Sequence, residues 1–253
     1  MNQLSLVSDL ERDLNTLQRK FISGDIDFAF PDKLVAFAEL TNRSLSGTST
    51  ETSPSNKEVN QNSGDFNILL VASNPASKKD LTLLEAELGY ILEHIRNFKV
   101  EVLRQPTGND LQDQFPLDNH GETIYDVLHF SGHGSEVGIY LYDIRRRTSQ
   151  LFDANILKGL FASLPKKQRP QLIFLNSCAS DNITNAVRTI IPNIITTKSE
   201  INEHMAITFS NTFYSQLAKG KNFKICFLEA KRSAIMLGAD DSLFNFYENG
   251  IQI

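Results

Sequence analysis

From residue 66 onward the sequence alternates short, continuously apolar runs with stretches whose apolar residues recur at helical spacing. The first run, residues 67–72 (NILLVA), lacks polar alternation, which is typical of a strand covered on both faces. Residues 84–95 then carry a helical stripe of leucine and isoleucine. Further strands are predicted at 100–103, 124–130, 137–142 and 172–175. The strand at 137–142 is expected to form a hairpin with the strand at 124–130. Further helices are predicted at 153–163, 182–190, 203–219 and 223–237. This alternation predicts an α/β fold, an α/β/α sandwich around a mostly parallel sheet.

The N-terminal part of the chain has a different pattern. Its apolar residues form one stripe of a short helix: Val7, Leu10, Leu14, Leu17 and Phe21. Residues 43–65 are mostly Ser, Thr, Asn and Glu, and cannot offset their ordering entropy by burial. We therefore predict a helical docking segment at 1–42, a flexible linker at 43–65 and the main domain at 66–253. The helices either dock a sensor or activator protein or pack on the main domain.

Composition limits the possible functions. The net charge is −5. This value argues against direct binding of nucleic acid, because a protein that binds nucleic acid usually has a basic face. No stretch approaches the roughly 20 apolar residues of a membrane span, and the first residues lack the pattern of a signal peptide. The two cysteines, Cys178 and Cys226, do not suggest a disulfide framework. These features predict a cytoplasmic protein that does not bind a membrane.

Two predicted strands end in small-residue turns that carry a reactive side chain. One is HFSGHG (residues 129–134), in which His133 lies between two glycines. The other is LNSCAS (residues 175–180), in which Cys178 follows a buried strand and precedes a predicted helix. The carboxyl ends of parallel strands meet at one edge of a sheet, where sites form. An imidazole beside a thiol near a helix N-terminus favours the reactive thiolate.

The other histidines and the second cysteine have simpler interpretations. His129 lies inside its predicted strand and is interpreted as a packed structural residue, although a side chain four residues before His133 would point to the same face of a strand. Cys226 lies on a helical pattern and is interpreted as core. The remaining histidines lack the cysteine or acid spacing of a metal site, so we predict no metal and no cofactor: His94, His120 and His204.

Several blocks between residue 66 and about residue 240 resemble the CHAT domains of bacteria, which are relatives of caspases and separase. VLHFSGHG (127–134) is close to the histidine motif of that family, and LIFLNSCAS (172–180) is similar to its cysteine motif. ILLVASNP (68–75) resembles its opening strand and turn, and INEHMAITFSNTFYSQLAKG (201–220) resembles the helix beyond its active site. The order of His133 and Cys178 in the chain, and the number of residues between them, also agree with caspases.

The resemblance implies a caspase-like fold and peptide-bond hydrolysis by a cysteine–histidine dyad of Cys178 and His133. The backbone N–H groups of Gly134 and Cys178 would form the oxyanion hole. Asn176, Ser131 and Glu203 are the candidate substrate-binding residues. Asn176 is neutral and does not by itself predict a preference for arginine or lysine, and a structural role for Glu203 stays open.

The resemblance further implies an endopeptidase that cleaves a specific protein substrate as a regulated effector in bacterial defence, including antiviral defence, or cell death. Two alternatives remain. One is a catalytically silent caspase-like interaction module, a pseudoprotease, against which the intact His133 and Cys178 argue. The other is a ligand-binding domain of the flavodoxin or receiver kind, for which the loop at 68–75 lacks a glycine-rich phosphate cradle.

Overall fold

A computed structural model describes residues 66–117 and 125–253 of the chain. The strands of these residues are β1 (Asn67–Ser73), β2 (Lys99–Arg104), β3 (Val127–Gly132), β4 (Gly134–Ser135), β5 (Gly138–Asp143), β6 (Thr148–Asp153), β7 (Leu172–Asn176), β8 (Asn193–Thr197), β9 (Phe244–Glu248) and β10 (Ile251–Gln252). The helices are α1 (Leu84–His94), α2 (Gly108–Asp113), α3 (Ala154–Ser163), α4 (Asp181–Val187), α5 (Glu203–Ala218) and α6 (Phe223–Met236). The predicted segments 1–42 and 43–65 lie outside the described residues.

The central sheet has seven strands in the order β10-β9-β8-β7-β3-β1-β2. The pairs from β2 to β8 are parallel, while β8–β9 and β9–β10 are antiparallel. The mostly parallel sheet that the sequence predicts is therefore confirmed. Strands β3 and β7 are neighbours, with Ser131 opposite Asn176 in the register, so their carboxyl ends lie side by side. This pairing brings together the two turns that carry His133 and Cys178.

Helices cover both faces of the sheet. Ile68 and Leu70 pack with apolar residues of α1, α5 and α6, and the alternate residues Leu69 and Val71 pack with those of α2, α3 and α4. All four side chains are fully buried, and burying a side chain of this size contributes about 1.5–3 kcal/mol. A strand buried on both faces accounts for the unbroken apolar run of the sequence. The α/β/α sandwich is confirmed.

Asparagine and aspartate side chains define where the longer helices begin. Asp153 accepts hydrogen bonds from two N–H groups in the first turn of α3, and Asn222 accepts one in α6. Asn202 accepts from the His204 N–H at 2.8 Å and so caps α5. Such caps satisfy N–H groups that have no partner within the helix. The Asn202 cap places Glu203 at the first position of α5.

The structure differs from the sequence-based expectation around β5. This strand was predicted to form a hairpin with the strand that precedes His133, but it pairs with β4 and β6 in a separate three-stranded antiparallel sheet. The edges of β3 are already occupied by β1 and β7, so no edge of β3 is free for β5. The apolar pattern of the sequence also failed to predict β4, β6, β8, β9, β10 and α2. These elements are short, and periodicity is a weak signal over five or six residues.

Within residues 66–117 and 125–253, no helix combines the length and the apolar composition that a bilayer crossing requires.

Candidate active site

His133 occupies the single position between β3 and β4. The adjacent Gly132 passes so close to β1 that a Cβ atom there would overlap the Ser73 carbonyl. The Nε2 atom of His133 lies 2.6 Å from the Lys79 carbonyl oxygen. Because a carbonyl only accepts, Nε2 carries a hydrogen, so Nδ1 is the ring nitrogen that can exchange a proton. The ring is thereby held with Nδ1 able to accept a proton.

Cys178 lies in the turn between β7 and α4. The next residue, Ala179, has a φ of 51°, a left-handed conformation that non-glycine residues rarely adopt, and its N–H donates to the Ser199 carbonyl at 3.2 Å. The Ser177 carbonyl accepts a hydrogen bond from the Thr197 hydroxyl at the end of β8. These bonds hold the turn that presents the Cys178 thiol, which is free and half-buried.

The two turns are in direct contact at Gly134. A Cβ atom added at this glycine would lie 2.6 Å from Ser177 Oγ and 2.8 Å from the Cys178 carbonyl oxygen. Real Cβ contacts are longer, so only glycine allows the backbone after His133 to approach the cysteine turn this closely. The separation of the two reactive side chains therefore depends on Gly134.

Replacing Gly134 by alanine is expected to force the histidine and cysteine turns apart. A misplacement of about 1 Å costs catalysis about 100-fold, and the overlap itself destabilises the fold by about 1–3 kcal/mol. The rate at which a peptidyl electrophile modifies Cys178 measures the first effect, and urea unfolding measures the second.

Gly159→Ala is the matched control for this substitution. Gly159 lies inside α3 with nothing within 4 Å of its added Cβ, so we expect a stabilisation of about 0.5–1 kcal/mol and an unchanged reaction at Cys178. Equal modification rates in the two variants would show that the contact at Gly134 does not set the geometry of the site.

His133 and Cys178 line one cleft. Asn176, Ser177 and Glu203 contribute polar lining. The walls are aliphatic side chains from the β1–α1 loop, α1 and the region around the start of α5: Leu81, Leu83, Leu84, Ile201, Ala206 and Ile207. An apolar cleft with a few convergent polar groups is the usual form of a binding site.

The structure brings four of the sequence-predicted site residues into the lining of this cleft: His133, Cys178, Asn176 and Glu203. Gly134 contacts the cysteine turn from the side. Ser131 is fully buried, and its hydroxyl lies 2.6 Å from His129 Nε2. Ser131 therefore presents no surface to a substrate, because its strand directs the side chain into the layer beneath the cleft.

A buried polar network underlies the cleft. Glu87 Oε1 accepts from Asn176 Nδ2 at 2.7 Å and from Ser210 Oγ at 2.6 Å, and it lies 3.5 Å from His129 Nε2. The other ring nitrogen of His129 lies 3.1 Å from the Tyr214 hydroxyl. His129 is fully buried and both its nitrogens are engaged. Its placement fits the structural role expected of it and leaves His133 as the histidine in the cleft.

Glu87 is ionised in this network. Burial opposes ionisation, but the hydrogen bond and charge of His129, with the hydrogen bonds of Ser210 and Asn176, outweigh it and hold the pKa of Glu87 below its ordinary value of 4.5. The sequence predicts no role for Glu87 in the site. The available signal was an acidic residue within the apolar stripe of α1, three residues after Leu84 and four before Ile91.

The second cysteine lies apart from the cleft. Cys226 is fully buried in α6, and burial raises the pKa of its thiol to about 12. This placement agrees with the core role expected from the sequence and makes Cys226 an internal reference for the reactivity of Cys178. In the part of the chain that the structure describes, no group of three or more His, Cys, Asp or Glu residues is arranged to hold a metal ion.

The fold is that of caspases. The chain is similar to the Drosophila initiator caspase Dronc with a TM-score of 0.53 and 11% identity, covering 80% of this chain and 92% of that one. It is also similar to the pro- and mature domains of RgpB from Porphyromonas gingivalis, with a TM-score of 0.48 and 12% identity. That match covers 74% of this chain, which spans about half (48%) of the RgpB chain.

The profile of the CHAT domain matches residues 34–247, and the protein belongs to the CHAT domain family. The match starts before residue 66, the predicted start of the main domain. A search of curated proteins finds no match.

Proposed function

We propose that this protein is a cysteine endopeptidase with Cys178 as nucleophile and His133 as general base and acid. The observation that carries the proposal is that both side chains line one cleft, with His133 Nε2 bound to the Lys79 carbonyl and Nδ1 left to accept a proton. Membership of the CHAT family and the caspase-like fold support it.

The proposed reaction uses groups of this chain alone. His133 accepts the thiol proton on Nδ1, and the Cys178 thiolate attacks the scissile carbonyl carbon. The N–H groups of Gly134 and Cys178 donate to the oxyanion, and each such donor contributes about 3–4 kcal/mol to catalysis. His133 then gives its proton to the leaving amine. Finally a water molecule, activated by His133, releases the acyl group from Cys178.

We propose further that the protein cleaves one specific partner protein in the cytoplasm, as a regulated effector in bacterial defence or cell death. Residues 1–42 would receive a sensor or activator. Resemblance to CHAT proteases supports this role, and the apolar stripe at Val7–Phe21 supports a docking function for the N-terminal segment. The two free cysteines are compatible with a reducing compartment.

The proposal is tested by covalent labelling of the purified protein with a peptidyl acyloxymethyl ketone, followed by peptide mapping. We expect modification at Cys178 and none at Cys226, because the thiolate is the reactive form and burial raises the pKa of Cys226 to about 12. His133→Ala should slow the labelling by a factor of about 10²–10⁴, the usual contribution of a general base. Equal labelling of wild type and His133→Ala would favour the interaction module instead.

A further inference from the structure

We propose that Asn74 is a positioning residue for the dyad. Its side chain closes the loop between β1 and α1, and the closed loop holds the Lys79 carbonyl against the ring of His133. The inference rests on the proposed protease function and adds to it the residue that fixes the orientation of the general base.

The loop at 74–81 contacts the imidazole through the Lys79 carbonyl oxygen, which lies 2.6 Å from His133 Nε2. This contact leaves Nδ1 as the ring nitrogen that can exchange a proton. The residues around it are exposed: Ala76, Ser77, Lys79 and Asp80. Burial therefore contributes little to the position of the Lys79 carbonyl, and hydrogen bonds must hold the loop.

The Asn74 side chain fixes the chain directly after Lys79. Its Oδ1 atom accepts from the Leu81 N–H at 3.2 Å, and its Nδ2 atom donates to the Asp80 carboxylate at 2.6 Å. We call these two hydrogen bonds the Asn74 clasp. An amide carries both the donor and the acceptor that the clasp requires. An alanine would supply neither, and an aspartate would set two carboxylates against each other.

Asn74 is itself anchored to the central sheet. Its N–H donates to Gln105 Oε1 at 3.0 Å, and the N–H of Gln105 donates to the Ala72 carbonyl in β1 at 2.8 Å. On the side before Lys79, Ser77 Oγ accepts from the Ser149 N–H of β6 at 2.9 Å. A catalytic group keeps its geometry when supporting hydrogen bonds connect it to rigid elements. The clasp supplies that connection on the side of the loop that leads into α1.

The clasp has a second consequence, which competes with this role. Leu81 lines the cleft together with His133 and Cys178, so loss of the clasp also moves a wall that contacts the substrate. A change in the wall would slow every reaction in the cleft, whether or not His133 is present. The two roles therefore differ in their dependence on His133, which a double-mutant cycle measures.

The test compares wild type, Asn74→Ala, His133→Ala and the double variant, all full-length, with a peptidyl acyloxymethyl ketone as the probe. We expect Asn74→Ala to slow the modification of Cys178 by at least about tenfold, because a misplacement of about 1 Å costs about 100-fold. In the His133→Ala background the same substitution should slow it by less than about twofold, since the ring that Asn74 positions is absent. Intact mass spectrometry over time gives the rates.

An exchange of two side chains tests the clasp without removing it. Asn74→Asp places a carboxylate against that of Asp80 and should slow the labelling about as much as Asn74→Ala. Adding Asp80→Asn restores a donor and an acceptor at the same two positions, and the Leu81 N–H keeps its acceptor. The rate should then return to within about threefold of the wild type.

Asn222→Ala is the matched control. Asn222 also accepts from a backbone N–H, that of Ile225 at 2.9 Å, but it caps α6 and does not line the cleft. Its replacement should leave the rate at Cys178 unchanged. Labelling of the fully buried Cys226 reports unfolding, so the rates are compared at a temperature where Cys226 stays unmodified in every variant.

An unchanged rate in Asn74→Ala, beside a slow rate in His133→Ala, would overturn the positioning role and leave the protease assignment intact. Equal slowing by Asn74→Ala in both backgrounds would also overturn it, since Asn74 would then act through the wall at Leu81. If the probe fails to modify Cys178 of the wild type, or modifies His133→Ala equally fast, the proposed protease function fails, and the positioning role fails with it.

Discussion

Cleavage of the partner substrate is expected to fall by at least about 10⁴-fold when Cys178 is replaced by alanine, because the acyl-enzyme can no longer form. His133→Ala is expected to lose nearly as much, since nucleophile and base act as a unit whose losses do not add. The double variant should therefore be no worse than Cys178→Ala. The measurement is proteolysis of the proteins encoded alongside this one, by wild type and the three variants, with fragments identified by mass spectrometry.

Cys226→Ala is the control for this experiment. Cys226 is buried in α6 and does not line the cleft, so its removal should leave the cleavage rate unchanged at a temperature where the variant is folded. If the wild type cuts one of the proteins encoded alongside it and the Cys178→Ala and His133→Ala variants do not, the dyad and the protease assignment are supported together. Cleavage that survives Cys178→Ala would refute the assignment of the nucleophile.

The largest loss of stability is expected from Glu87→Ala. The substitution leaves His129, Asn176 and Ser210 without their shared acceptor in a buried layer. Breaking a buried charge network by removing one partner costs about 3–5 kcal/mol. Glu85→Ala, in the same helix, removes only a surface pair with Arg104, and such pairs contribute about 0–1 kcal/mol. Urea unfolding of both variants at pH 7 measures the difference, and equal losses would show that the network contributes little.

The contribution of Glu87 should also depend on pH. Its pKa is lower in the folded protein than its ordinary value of 4.5, so the folded state releases this proton more readily than the unfolded state. The stabilisation is therefore fully present above about pH 4.5 and is lost as the pH falls through the folded pKa. Glu87→Gln keeps the shape and removes the charge. The difference in unfolding free energy between wild type and Glu87→Gln should be constant from pH 7 to 5 and shrink below pH 4.5.

The buried network around Glu87 affects both the stability of the domain and the positions of residues that line the cleft. Asn176 Nδ2 is held by Glu87 of α1 and by Ala206 and Ser210 of α5. The two helices therefore position the side chain of Asn176, a residue that lines the cleft. Residues in such a supporting layer fix the groups that contact a substrate. We expect substitutions at Ser210 to change substrate preference as well as stability.

The sequence by itself determined the fold class, the order of the main elements and the two loops that carry reactive residues. These signals are local in the sequence. A continuous apolar run such as 67–72 indicates a strand buried on both faces, and a glycine on each side of His133 indicates a tight turn. The resemblance to the CHAT family also pointed to Asn176 and Glu203, through their positions in the cysteine motif and in the block at 201–220.

The tertiary structure decided which of these residues meet. Asn176 and Glu87 are 89 positions apart in the chain, and Leu83 and Glu203 are 120 apart. Periodicity describes one element at a time and carries no information about contacts between elements. Packing of α1 and α5 on the same face of the sheet sets both contacts. Only this packing distinguishes the buried Ser131 and His129 from His133 in the cleft, and only it brings Asn176 and Glu203 to the lining of the same cleft.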